Sequence, residues 1–136
     1  MVQNVPPGET WKALQHDPQA QLVDVRTDAE WNFVGIPDLG KAGKQAVLIP
    51  WQVYPTMARN AGFEKQLSDA GFTPEHHIYF LCRSGVRSLA AAEAARAAGF
   101  PHTYNIADGF EGPIDRAGHR GVAAGWKAAG LPWRQK

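Results

Sequence analysis

The chain has 136 residues, of which 44% are hydrophobic and 20% charged, and it carries a formal net charge of +1. Such a length and apolar content suit one domain with a buried core, and the mixed, nearly balanced charges create no field that would recruit nucleic acid or an anionic membrane. No stretch approaches the apolar run needed to cross a bilayer, and residues 1–10 lack the basic start and apolar core of a leader, so a cytoplasmic setting is expected. The single cysteine, Cys82, excludes an internal disulfide, a thioredoxin-type pair and a multi-cysteine zinc site.

In chain order, Trp11 and Leu14 mark a first helix ending near Pro18, and the nearly continuous apolar run Leu22 to Val25 reads as a buried strand. Thr27 to Glu30 has the spacing of a capping box, in which a hydroxyl and a carboxylate satisfy the first free N–H groups of a helix. A second strand is expected over Ala46 to Ile49. Phe63 and Leu67 then mark another helix, with Asn60 as its cap and Gly71 as its stop. Ile78 to Leu81 is a third strand. The alanine-rich segment Ser88 to Ala98 is a helix terminated by Gly99 and Pro101, and Thr103 to Ile106 is a fourth strand. The glycine-rich segment from Asp108 onward has no strand pattern. Residues 5–110 therefore form the expected core, and residues 111–136 a covering tail with a short helix around Val122 to Ala129.

Strands alternating with helices predict an α/β domain whose central parallel sheet is covered by helices on both faces. Ligands of such sheets sit at the carboxyl ends of the strands. The segment from Ile78 to Ser88 puts chemistry at that place: a buried strand runs into Cys82, then a loop with Arg83, Ser84, Gly85, Val86 and Arg87, then a helix beginning near Ser88. Successive loop N–H groups and the unpaired N–H groups of a helix start converge on whatever sits above them, so the stretch reads as an anion cradle. Gly85 permits the backbone twist required. A thiol held there, beside two arginines, is biased toward the thiolate. The plainer alternative makes Cys82 a small apolar strand-end residue and the arginines surface decoration, but it does not call for strand, cysteine, glycine loop, arginines and helix together.

Other polar residues read as structural. Asp24 and Arg26 at a strand end are expected to pair and pin a loop. The five histidines, His16, His76, His77, His102 and His119, lack metal-site spacing, and His119 and Arg120 are not placed in the site by any spacing. Trp31 and Trp51 are expected in the core, while packing is the favoured role for Trp126 and Trp133 over shaping a substrate mouth.

Cys82-Arg83-Ser84-Gly85-Val86-Arg87-Ser88 resembles the active-site loop of rhodanese-like domains. Leu22-Val23-Asp24-Val25-Arg26 with Glu30-Trp31 is similar to the family's first signature. Gly35-Ile36-Pro37 with Ile49-Pro50-Trp51 is similar to its second, although the histidine that often precedes the isoleucine is absent here. Tyr104-Asn105-Ile106 with Gly109-Phe110 and the ending Gly125 to Trp133 resemble the family as well.

The resemblance implies a rhodanese fold and a thiosulfate sulfurtransferase-like enzyme. In such an enzyme Cys82 is the nucleophile and carries sulfur as a persulfide, and Arg83, Ser84, Gly85, Val86, Arg87 and Ser88 bind the substrate anion. It implies no metal or organic cofactor, a thiosulfate-like donor, and cyanide or a thiol as acceptor, with a protein as a further donor or acceptor. Related domains also act as sulfur-relay or regulatory binding modules, and cell-cycle phosphatases share the fold. Four residues separate Cys82 from Arg87 here, where the phosphatases are similar in having five. The shorter loop favours a single terminal sulfur over a tetrahedral phosphoryl group.

Overall fold

Every strand of the central sheet runs in the same direction, so each connection must cross over a face of the sheet and leave its carboxyl ends together on one side. The structure is a computed structural model and describes residues 2–136. Its elements are β1 (Gln3–Val5), α1 (Pro7–His16), β2 (Ala20–Asp24), α2 (Asp28–Val34), β3 (Ile36–Pro37), β4 (Val47–Leu48), β5 (Gln52–Val53), β6 (Ala58–Arg59), α3 (Phe63–Asp69), β7 (His77–Leu81), α4 (Val86–Ala97), β8 (Thr103–Ile106) and β9 (Trp133–Arg134). The five-stranded sheet has the order β1-β8-β7-β2-β4. After β2 the chain adds β4 on one side, and β7 and β8 then build the other way. The end of β7 beside β2 is thus the point where the winding reverses.

The central strands alternate between two cores. Val23, Ile78, Phe80 and Cys82 face one side with Phe63 and Leu67 of α3 and Ala91, Ala92 and Ala95 of α4. Leu22, Tyr79 and Leu81 face the other with Leu14 of α1, Phe110 and Trp126. The expected α/β architecture with a parallel sheet covered on both faces is therefore present. The first helix does stop ahead of Pro18, and α3 ends just short of Gly71.

Several boundaries differ from the sequence reading. The strand expected over Ala46 to Ile49 is reduced to β4, because Pro50 has no N–H to continue the ladder; Ile49 and Trp51 still donate to the carbonyls of Asp24 and Val25. Asn60 does not cap α3 directly: Gly62 is the capping residue, and the Asn60 carboxamide accepts its N–H at 3.1 Å. The helix expected from Ser88 starts at Val86.

The short helix expected around Val122 to Ala129 is absent, and the segment is a series of turns. Two of its backbone donors are committed elsewhere, Trp126 N–H to the Gly109 carbonyl at 2.9 Å and Lys127 N–H to that of Phe110 at 3.1 Å, and Ala129 N–H closes only a single turn on the Gly125 carbonyl at 2.9 Å. The tail instead seats Trp126 in the core and adds β9 antiparallel to β3. No helix among the described residues is long and apolar enough to cross a membrane.

Candidate active site

β7 ends at Leu81, and Cys82 is the next residue, 1% exposed, with its sulfur on the α4 side of the sheet. The chain then turns through Arg83, Ser84 and Gly85, the last at φ +110° where a side chain would be strained, and enters α4. Gly85 N–H donates to Cys82 Sγ at 3.1 Å, and the Ser88 hydroxyl lies 3.2 Å from the same sulfur. No side chain among the described residues caps the start of α4. Its first N–H groups, at the positive end of a twelve-residue helix, stay available to an anion at the loop.

Of the six loop residues singled out in the sequence, Gly85 and Ser88 meet the sulfur directly. Arg83 is exposed on the rim, and its carbonyl accepts the N–H groups of Glu111 and Gly112 at 3.0 and 3.1 Å. With Phe110 N–H on the Cys82 carbonyl at 2.8 Å, the loop is sutured to the segment that follows β8. Ser84 is half-buried, and the Val86 side chain points outward, 77% exposed. Arg87 keeps its charge close enough to Cys82 to feel it, but both terminal nitrogens are bonded to Glu30, at 2.7 and 2.9 Å.

This Glu30–Arg87 pair was hidden in the sequence, where the capping box accounted for Glu30 completely. The box is formed: Thr27 Oγ1 accepts Glu30 N–H, and Glu30 Oε1 accepts Thr27 N–H at 3.3 Å. The same carboxylate then reaches Arg87. Burial pushes the Glu30 carboxyl up, but the hydrogen bonds and charge of Arg87 outweigh that and hold it below its ordinary value of 4.5. Reciprocally, the bond to Glu30 raises Arg87, and burial opposes it.

The family described as STR4 middle domain, a rhodanese-like family, matches residues 7–136. The chain belongs to that family. Its rhodanese-like fold is shared by the crystal structure of Rv0390 from M. tuberculosis, with a TM-score of 0.89 and 46% identity over 99% of this chain and 98% of that one. An uncharacterized protein of Rickettsia conorii, RC0915, is 39% identical over 134 residues, 98% of each chain. The thiosulfate:glutathione sulfurtransferase of Saccharomyces cerevisiae is 30% identical over 91 residues, 65% of this chain and 60% of that one. These likenesses place the protein among the rhodanese-like proteins.

Around the rhodanese-like loop, the structural residues fall where their chemistry requires. Asp24 and Arg26 are both fully buried and joined at 2.7 Å, and Arg26 also donates to the Gly35 carbonyl and lies 4.3 Å over the Phe110 ring. Trp31 and Trp126 are buried, Trp51 packs edge-on against Phe63 at 5.1 Å, and Trp133 lies partly exposed against Phe110. His77 pairs with Asp17 at 2.6 Å, away from the carboxyl ends of the strands, and no cluster among the described residues suits a metal ion. His119 is exposed in a turn with Asp115, while Arg120 bonds the Gly112 carbonyl.

Sequence reasoning also passed over Asn105. It is buried in β8, accepts from the Ser88 hydroxyl through Oδ1 at 2.5 Å, and donates through Nδ2 to Asn4 Oδ1 at 2.8 Å and to the Gly85 carbonyl at 3.2 Å. A polar residue in an otherwise buried strand was the available signal.

Proposed function

We propose that the protein is a sulfurtransferase that moves sulfane sulfur from thiosulfate or a similar donor to a thiophilic acceptor through a persulfide on Cys82. The observation that carries this reading is the convergence of the Gly85 N–H and the Ser88 hydroxyl on Cys82 Sγ at the mouth of an uncapped helix. The Gly85 N–H and the first N–H groups of α4 suit a negatively charged sulfur, and the Ser88 hydroxyl adds a further donor to the thiolate when it turns from Asn105.

In the first half-reaction the Cys82 thiolate attacks the outer sulfur of thiosulfate. The new S–S bond forms as the old one breaks, sulfite leaves with the bonding pair, and Cys82 is left as Cys–S–S⁻. In the second, cyanide or a thiolate attacks the terminal sulfur and the Cys82 thiolate is released as leaving group. Arg83 on the rim attracts the donor anion, and Arg87 supplies positive charge behind the loop while Glu30 holds it in place. The mechanism asks for no metal or organic cofactor. A lone cysteine has no internal partner to resolve the persulfide, so the acceptor comes from outside, as a small thiol or as a thiol on another protein in a relay. The name of the yeast relative, which pairs thiosulfate with glutathione, supports the small-thiol version. The four-residue spacing from Cys82 to Arg87 favours sulfur over phosphoryl transfer, and a reducing cytoplasmic setting suits the free thiol.

The test is intact-protein mass spectrometry after thiosulfate and again after cyanide, with Cys82→Ser alongside. A gain of about 32 Da, one sulfur, that cyanide removes and the variant never acquires is the expected result for a covalent sulfur carrier. A wild-type protein that gains no sulfur from thiosulfate, and none from polysulfide, overturns the reading.

A further inference from the structure

Ser88 has one hydroxyl proton and two buried neighbours that ask for it. Its oxygen lies 2.5 Å from Asn105 Oδ1 and 3.2 Å from Cys82 Sγ. The Asn105 amide cannot turn to offer a donor instead, because its Nδ2 is held by the Gly85 backbone carbonyl, which can only accept. Asn4 Oδ1 holds the same Nδ2 from β1.

While Ser88 donates to Asn105, it can only accept from the sulfur, an arrangement that matches the neutral S–H of Cys82. When that proton leaves to solvent, the hydroxyl must turn toward the thiolate, and Asn105 Oδ1 then sits buried without a donor. A persulfide imposes no such choice. Its negative charge is on the terminal sulfur, Sγ is neutral, and Ser88 keeps its bond to Asn105.

We infer that Asn105 is a positioning residue which, through Ser88, raises the cost of the bare Cys82 thiolate relative to the thiol and the persulfide. The inference rests on the reading of Cys82 as the sulfur carrier. The charged groups about the thiol are Arg83 in its own loop, Arg87 of α4 with Glu30 of α2, Asp24 with Arg26 at the end of β2, and Asp108 after β8. All of them are unchanged in the variants below.

The experiment is the pH dependence of alkylation by iodoacetamide, which reads the thiolate of the single cysteine directly. Asn105→Ala removes the competing acceptor, and Asn105→Val does so with a side chain that strands accommodate well. In both, the alkylation midpoint should fall by about one pH unit, close to tenfold faster reaction below the wild-type midpoint. On a Ser88→Ala background the same Asn105 substitutions should leave the midpoint where Ser88→Ala puts it, because their route to the sulfur is gone. An unchanged or higher midpoint in whichever Asn105 variant folds, or an equal fall without Ser88, overturns the inference. Alkylation needs no sulfur donor, so a protein that shows the predicted shift yet takes sulfur from neither thiosulfate nor polysulfide refutes the proposed function and leaves the effect of Asn105 on the Cys82 thiolate standing.

Discussion

Glu30 and Arg87 lie 57 residues apart in the chain, and their side chains meet in a two-point ion pair that ties the cap of α2 to the first turn of α4. Both side chains are about four-fifths buried, so the pair is shielded from the screening that makes surface bridges nearly worthless. Glu30→Gln keeps the shape and removes the charge. It should cost about 1–3 kcal/mol in urea unfolding, the usual consequence of leaving a partly buried charge with a weaker partner. An unchanged midpoint would mean that the pair is idle.

The same carboxylate sets a pH signature. Burial raises Glu30, but Arg87 and the Thr27 N–H hold it below 4.5. A carboxyl depressed on folding contributes stability that is complete above its unfolded value and is lost as pH falls through its folded value. The advantage of wild type over Glu30→Gln should therefore be level near neutrality and shrink below about pH 4.5. Paired urea titrations across the acid range check this, and a gap that widens toward low pH would contradict it.

Gly109 sits at φ +64°, where an added Cβ would stand 2.5 Å from the carbonyl atoms of Arg83 and 2.5 Å from that of Cys82. Those atoms are backbone of the Cys82 loop and cannot step aside singly. Gly109→Ala should cost about 2 kcal/mol or more and reduce sulfur loading, since it pushes on the residues that present the sulfur. Gly118→Ala is the control: its φ is +81°, nothing lies within 4 Å, and only the backbone strain of about 1 kcal/mol should appear. Equal losses in the two variants would remove the steric argument.

Trp126 is fully buried, stacks edge-on with Trp11 at 6.1 Å and donates through its indole N–H to the Pro132 carbonyl at 2.7 Å. Trp126→Ala should destabilise by about 3–5 kcal/mol, as for a large core aromatic. Trp133→Ala, at a partly exposed position, should cost much less. Thermal unfolding of the two variants separates a tail that completes the core from one that merely lies on it.

Asp24→Asn breaks a pair whose two members are wholly buried, leaving the Arg26 charge without its counter-ion. A loss of about 3–5 kcal/mol is expected. If the variant that survives at low temperature still takes up sulfur from thiosulfate at the wild-type rate, Asp24 serves the fold and not the chemistry; a stable but inactive variant would reverse that assignment.

Local signals were enough for much of the molecule. Near-continuous apolar runs marked β2, β7 and β8, because strands buried on both faces have no polar side to show. The hydroxyl–carboxylate spacing marked the start of α2, and the order strand, Cys82, Gly85 loop and helix marked the site. Each of these is written in residues close together in the chain. β1 was missed because only Val5 of its three residues is buried at the sheet edge, and β3 and β9 because they exist only by pairing residues 98 positions apart, Ile36 with Arg134. The tail resisted for the same reason: the Trp126 and Lys127 N–H groups, in the middle of the helix expected over Val122 to Ala129, found carbonyls at Gly109 and Phe110.

By itself, then, the sequence determined the α/β class, the two-faced core and the identity of the candidate nucleophile, since hydrophobic period, turn residues and helix starts are properties of short windows. Only the tertiary structure decided that Arg87 belongs to Glu30, that Ser88 must choose between Cys82 and Asn105, and that Trp126 closes the core. Those relations depend on side chains meeting across parallel strands and crossover helices, and a hydrogen bond between residues 17 or 57 positions apart leaves no periodic trace in the chain.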